Sequence, residues 1–298
     1  MLGRIDYEKD ILIGRIKDHG PIFDTDMHSR ESLLAFGNSH YIIHLYDYKQ
    51  KKYMIKFPGH SGPIRTVQFH HNATYNCLVS ASDDFTVRIW DFIRGVCILL
   101  LSEHTDSVTC ASFHPRHDHL LISASVDKTI RVWDVNGLLK AMPTTPTKES
   151  AIWLECCKHD YDEFNIKSKY TLQGHNRDVN WAAFHPTLPF ILSASEEELI
   201  LWSIYDSMGA VKAHSFRGHG TNFHQCASIG SDRNHVVSIT TESIRIYNLS
   251  ARTEMVSFNK EGVSRLKCLA VHPTAKNILA VGHMSGFTVF RMKSKQKK

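Results

Sequence analysis

The sequence predicts an all-β fold assembled from repeated four-strand units, and three observations predict it. His-led segments recur along the 298 residues, with His19, His60, His104, His175 and His219 separated by 41, 44, 71 and 44 residues. Within each segment, short alternating runs of β-branched and aromatic residues are broken by turn signals, which marks strands rather than helices. The turns also recur in one order: a His-Pro or similar turn, a Ser-Ala-Ser run, an acidic turn, then a run ending in Trp or Tyr.

The elements follow from that grammar. Four clear copies begin at Gly59, Glu103, Gly174 and Gly218, and two weaker ones at His19 and Val263. The first run of a copy reads TVQF, VTCASF or VNWAAF and closes at His70, His114 or His185. A second run ends in Ser-Ala-Ser, and Asp83-Asp84, Val126-Asp127 or Glu196-Glu197 makes the tight turn after it. The third run ends at Trp90, Trp133, Trp202, Tyr247 or Tyr46, and a fourth follows, such as GVCILLL or KYTLQ. Four strands per ~42 residues is the signature of a WD-repeat β-propeller. A single four-stranded blade cannot bury both its faces, so blades pack on one another around an axis. Six blades are recognisable and seven remain open. The expected domain is one propeller over 1–298, closed by the N-terminal segment adding an outer strand to the last blade. Closure removes exposed edge strands. The long step of 71 residues places an insertion at about 136–169, between strands of one blade. In the Gly59 copy, His60, Ser80, Asp84 and Trp90 are expected to form a hydrogen-bonded scaffold, since such polar groups are costly when buried unpaired.

Composition narrows the function classes. The formal charge is +5, with much of the excess in the tail RMKSKQKK. No basic stripe interleaved with aromatics is visible, so no nucleic-acid partner is expected. No apolar run reaches the ~18 residues of a membrane span, and the start MLGRIDYEKD does not read as a signal peptide. Seven cysteines, mostly inside apolar runs, read as small buried hydrophobes in a reducing compartment. The glycosylation patterns at Asn72 and Asn248 are then idle. His114, His117 and His119 lie on a repeated polar turn without ligand spacing, so no metal is expected. Cys156-Cys157 with His159, inside the insertion, reads as free thiols. No GxSxG, phosphate-cradling glycine loop or carboxylate pair at helical spacing occurs, so neither an enzyme nor a cofactor is expected.

Particular stretches go beyond the fold. HNRDVNWAAFHPTLPFILS, YIIHLYDYKQKKYMIKFPGHSGPIRTVQFH, SASVDKTIRVWDVNGLLK, LAVHPTAKNILAVGHMSGFTVFRMK and the opening MLGRID occur in order along the chain. Together they resemble the propeller of the coatomer alpha subunit family, the large COPI coat subunits. The beta-prime coatomer subunit is the nearest alternative. That family's propeller has seven blades, so the resemblance implies a copy lost, or too degenerate to see, near the Gly59/Glu103 boundary. It continues into a helical solenoid, so a chain ending at Lys298 is expected to be a fragment or a reduced protein.

The resemblance implies a cytoplasmic coat protein, peripheral on Golgi and COPI vesicles, in Golgi-to-ER retrieval. Its implied partners are other coatomer subunits and the cytosolic tails of membrane cargo, with membrane contact indirect through the coat. It also implies recognition of C-terminal dilysine signals, which requires acids for the ammonium groups and a cation for the terminal carboxylate. Arg65, five residues before His70, stands where the family has a carboxylate-binding Arg, and Asp83 where it has a face acid. Pro21 and Phe23 stand where it has an Arg-x-Lys pair, and Arg15 and Lys17 form such a pair six residues earlier. Ser39, Ser107 and Val126 replace other family positions. Arg65 and Asp83 are therefore either ligand contacts or blade braces. Asn180 shares Arg65's slot before its histidine, and Trp181 is expected to pack between blades. The competing reading is a WD-repeat scaffold in another complex.

Overall fold

The computed structural model describes residues 21–142, 166–205, 209–217, 223–229, 234–240, 243–259, 266–271, 278–283 and 286–291. Their strands form six antiparallel sheets in chain order. Blade 1 holds β1 (Ile22–Met27), β2 (Leu33–Asn38), β3 (Ile43–Asp47) and β4 (Lys52–Phe57). Blade 2 holds β5 (Ile64–Phe69), β6 (Cys77–Ser82), β7 (Val87–Asp91) and β8 (Val96–Leu101). Blade 3 holds β9 (Val108–Phe113), β10 (Leu120–Ser125), β11 (Thr129–Asp134) and β12 (Ser168–Gln173). A short helix, α1 (Asn136–Ala141), opens the insertion between β11 and β12. Blade 4 holds β13 (Val179–Phe184), β14 (Phe190–Ser195), β15 (Glu198–Tyr205) and β16 (Gly209–Arg217). Blade 5 holds β17 (Phe223–Ile229), β18 (His235–Thr240), β19 (Ser243–Asn248) and β20 (Thr253–Asn259). Three further strands, β21 (Leu266–Val271), β22 (Ile278–His283) and β23 (Gly286–Arg291), make a sixth sheet. This is the architecture of a WD propeller.

Apolar faces meet between blades. Ala35, Ile43 and Leu45 of blade 1 share a core with Ile64, Val67 and Trp90 of blade 2. Val79 and Ile89 of blade 2 pack with Ala111 and Trp133 of blade 3, and Leu138 and Leu139 of α1 join them. Trp181 packs against both the core shared by blades 3 and 4 and the core shared by blades 4 and 5. The blades that begin at Gly59 and Glu103 are in direct contact through β5, β6 and β9, so no degenerate blade is hidden between them. Successive inner strands pack on one another from β1 through β5, β9, β13 and β17 to β21, and no comparable packing joins β21–β23 to β1 among the described residues. The N-terminal segment expected to close the last blade lies outside the described residues, as do Arg15 and Lys17.

Each inner strand has one sheet neighbour and therefore one unpaired edge. Buried backbone amides on such an edge need acceptors. Side chains of the preceding blade supply them, from positions four and two residues before its turn histidine. Asp24 Oδ2 accepts from Val67 N at 3.0 Å and Asp26 Oδ2 from Phe69 N at 2.8 Å. In blade 2, Thr66 Oγ1 accepts from Ala111 N at 3.0 Å and Gln68 Oε1 from Phe113 N at 2.9 Å. Blade 3 changes the pattern: Thr109 Oγ1 donates to the Val179 carbonyl at 2.6 Å, and Cys110 Sγ to that of Ala182 at 3.5 Å. Trp181 occupies the corresponding place in blade 4 and packs instead.

The two aspartates are the charged members of this ladder. Burial raises the Asp24 carboxyl to about 6 against the pull of the Val67 amide, and the like charge of Asp26 adds to the rise. A carboxyl raised in the fold stabilises it at low pH and costs stability as the pH climbs through about 6. Asp24→Asn keeps an acceptor for Val67 and removes the charge. We expect the variant to exceed wild type by ~1 kcal/mol in urea unfolding at pH 7.5, with the gain shrinking towards pH 5. A difference that does not change with pH would contradict this account.

Candidate functional site

The side chains that shape the upper edge of the propeller begin with a buried tryptophan. In blade 2, Trp90 Nε1 donates to Ser80 Oγ at 2.8 Å. An indole N–H can donate but not accept. The Asp84 carboxylate can only accept, so His60 Nδ1, 2.7 Å from Asp84 Oδ2, carries the hydrogen of the neutral ring. Ser80 then gives its own proton to His60 Nε2, at 2.7 Å. Asp84 Oδ2 also accepts from Ser61 N at 2.9 Å, and Asp84 Oδ1 accepts from Thr86 Oγ1 at 2.6 Å. Burial pushes the Asp84 carboxyl up, but the bonds from His60, Thr86 and Ser61 outweigh it and hold the group well below the usual carboxylate range. Blade 3 repeats the set with Trp133, Ser123, His104 and Asp127, at 2.9, 2.8 and 2.7 Å. Gly59 and Gly174 precede the leading histidines of blades 2 and 4 at φ +149° and +152°. A Cβ at either position would stand 3.1 Å from the Trp90 or Trp202 ring.

Blade 4 is different. Trp202 Nε1 donates to Ser193 Oγ at 2.8 Å, and Ser193 meets His175 Nε2 at 2.6 Å. Among the described residues, His175 Nδ1 is buried without a hydrogen-bond partner. The reason is one missing residue. Serine and tryptophan are ten positions apart in blades 2 and 3 but nine in blade 4. The shortened turn sends Glu197 outward to Arg177 Nε, at 3.0 Å. Glu198 turns inward to Ser215 and to Lys212 Nζ at 3.4 Å. Burial lowers the His175 imidazole to about 4.

The structure brings Arg65 and Asp83 together. Arg65 Nε donates to Asp83 Oδ1 at 2.8 Å and Nη2 to Oδ2 at 2.5 Å, a two-pronged ion pair. The guanidinium also lies over the Phe23 ring, 4.7 Å from its centroid. Phe23 thus supports the Arg65 cation. Arg65 also lines a cavity of about 600 Å³ between the inner strands of blades 1 to 4, together with Phe23, Asp24, Gln68, Asn180 and Trp181 among others. Asn180 therefore reaches the same space as Arg65.

On the other edge, the turn histidines are structural. Nδ1 of His114 accepts from Arg116 N and His117 N, both at 3.0 Å, and Nδ1 of His185 from Leu188 N at 3.0 Å. His70, His71 and Asp118 come together, with possible ligand atoms within 4.8 Å of one another. His70 Nε2 donates to the Asp118 carbonyl at 2.9 Å while Nδ1 accepts from Asn72 N at 3.1 Å, so neither nitrogen keeps a lone pair for an ion. His71 Nε2 at 2.8 Å and Asn72 Nδ2 at 2.7 Å bind the Asp118 carboxylate, which latches blade 2 to blade 3. Cys156, Cys157 and His159 lie outside the described residues. Sequence reasoning missed the inter-blade ladder, although polar residues at 24, 26, 66 and 68 on otherwise apolar inner strands were its visible signal. It also passed over Arg177.

Residues 51–91, 95–134 and 166–203 match the WD domain, G-beta repeat family. The chain is 37% identical over 157 residues to coatomer subunit alpha-2 of Arabidopsis thaliana, covering 52% of this chain and 13% of that protein. It is 35% identical over 125 residues to the putative coatomer subunit alpha of Schizosaccharomyces pombe, covering 42% and 10%. Over these repeats the chain is thus similar to coatomer alpha subunits. Another WD protein, periodic tryptophan protein 2 of Arabidopsis thaliana, is 27% identical over 236 residues, 71% of this chain and 26% of that protein. This chain thus spans about a tenth of the length of its coatomer alpha relatives. WD40 repeats and these similarities point to a structural scaffold. No helix among the described residues is long and apolar enough to cross a membrane.

The acidic turns of blades 2 and 4 should behave differently. Asp84→Ala leaves the buried His60 N–H without its acceptor, and should cost ~1–3 kcal/mol in denaturant unfolding. Glu197→Ala, at the matching place in blade 4, removes an exposed pair and should stay within ~0.5 kcal/mol. Equal losses would mean that Glu197 closes its network after all.

Proposed function

We propose that the chain is a non-enzymatic coat propeller of the COPI type, acting in Golgi-to-ER retrograde transport. Its partners are other coatomer subunits and the cytosolic tails of membrane cargo, whose C-terminal dilysine signals it binds. It works from the cytosolic side as a peripheral protein on Golgi membranes and COPI vesicles. The observation that carries the reading is the adjacent cation and acid of Arg65 and Asp83, with Arg65 lining the inner cavity. A dilysine tail carries both opposite charges. Its ammonium can replace Arg65 on Asp83 while its terminal carboxylate replaces Asp83 on Arg65, so neither charge is stranded during the exchange. Similarity to the alpha subunits supports the coat assignment.

A second reading, a WD-repeat scaffold in another complex, is favoured by the mutual closure of that pair and by the longer match to periodic tryptophan protein 2. A beta-prime-like coat subunit is its variant within the coat. Titration of a peptide ending in KKxx separates these readings. Wild type should bind, and Arg65→Ala should weaken binding about tenfold or more. Absence of binding at millimolar peptide would remove the dilysine reading. Failure of the tagged chain to co-purify with coatomer subunits would favour the scaffold.

A further inference from the structure

Blades 2 and 3 record what the leading histidine of a blade takes at its Nδ1. In both, one carboxylate oxygen accepts the imidazole N–H at 2.7 Å and also the next backbone amide, from Ser61 at 2.9 Å or Thr105 at 3.2 Å. Blade 4 keeps the tryptophan, serine and histidine and lacks the carboxylate. With Ser193 accepting from Trp202 and donating to His175 Nε2, as the serines of blades 2 and 3 do, the ring proton lies on Nδ1, which is buried without a partner among the described residues. Asn176 stands where Ser61 and Thr105 stand. The blade's own acids are engaged elsewhere, Glu197 with Arg177 and Glu198 with Lys212 and Ser215.

We propose that this upper edge of blade 4 is a carboxylate-binding site, in which a partner's carboxylate takes the place that Asp84 and Asp127 fill in blades 2 and 3. His175 Nδ1–H donates to it, and Arg177 supplies the countercharge. Arg177 suits this role better than Arg65. Asp83 occupies two prongs of the Arg65 guanidinium. Glu197 engages Arg177 through Nε, and the Arg177 side chain is 61% exposed. The turn that must yield is also accessible, with the Glu197 side chain 52% exposed. A buried N–H without an acceptor costs free energy, so the site favours occupation. The site lies on a different blade from Arg65 and Asp83 and does not depend on the dilysine reading.

The test follows the His175 imidazole by ¹⁵N-resolved NMR while three acetylated peptides are added. One, Ac-Gly-Ser-Gly, has a free C-terminus, the second is its amide, and the third is an amide with an internal Asp. A carboxylate probe should shift the Nδ1–H signal and raise the His175 pKa, because Glu198 and Lys212 already face the ring and a new anion adds to the Glu198 effect. The plain amide should do neither. The free-acid and Asp arms show whether a chain terminus or a side chain is preferred. Arg177→Ala should weaken the response about tenfold, whereas Arg65→Ala should leave it unchanged. A His175 signal unmoved by either carboxylate at millimolar concentration overturns the proposal. So does a fall in the peptide-free His175 pKa on Glu197→Gln, which would show the chain's own glutamate in the site. A positive His175 response with no KKxx binding would leave this site standing and remove the dilysine reading alone.

Discussion

An indole N–H can only donate, and much of the upper edge of this propeller follows from that restriction. Trp90, Trp133 and Trp202 are buried at the centre of their blades, so each N–H must find an acceptor. A serine on the neighbouring strand provides it at 2.8–2.9 Å. The serine meets the histidine in turn; where a carboxylate faces Nδ1, the serine proton goes to Nε2 and the histidine proton points the other way. In blades 2 and 3 an aspartate receives it and is held ionised by the bonds it accepts. Sequence, tautomer and charge are thus linked in one direction, from a buried donor outward to the surface turn.

The same requirement, applied to the backbone, orders the inner wall. A blade has two apolar faces and an inner strand with an unpaired edge. The next blade covers one face, and side chains at 24, 26, 66 and 68 reach across to the edge amides of that next blade that no strand pairs. Packing and hydrogen bonding therefore both run between blades, which makes the interface, not the single sheet, the cooperative unit. Asp24 shows the cost of this solution. A carboxylate is a good acceptor for Val67 but a poor group to bury beside Asp26, and burial and the like charge both favour its protonated form.

How far the sequence could be read follows the same division. The His-Pro turns, the Ser-Ala-Ser runs and the final tryptophans were legible because they are local and repeat in register. The likeness to coatomer alpha subunits was legible because particular fillings, such as VNWAAFHPT, occur in order. The ion pair between Arg65 and Asp83 was not, because each residue was placed by its own slot and neither slot reveals the other. The inter-blade ladder was illegible for a related reason: donor and acceptor lie more than forty residues apart and differ in residue type from blade to blade. The gap in blade 4 was present as a single missing residue between Ser193 and Trp202. Its meaning appears only once the tautomer of His175 is worked out in three dimensions.

The Arg65–Asp83 and Arg177–Glu197 pairs differ in exposure, and that difference gives them different properties. Arg65 and Asp83 are two-pronged, stacked on Phe23 and partly buried, with side chains 39% and 19% exposed. Separating them without replacing both partners strands a charge in a poorly solvated place, which favours ligands carrying both signs. Arg177 and Glu197 are joined at one contact in water, where such a pair contributes little. That pair can open for an anion alone, and two residues before Arg177 the buried His175 Nδ1 has no hydrogen-bond partner among the described residues. Selectivity on this face thus depends less on which charges are present than on how firmly each is already held.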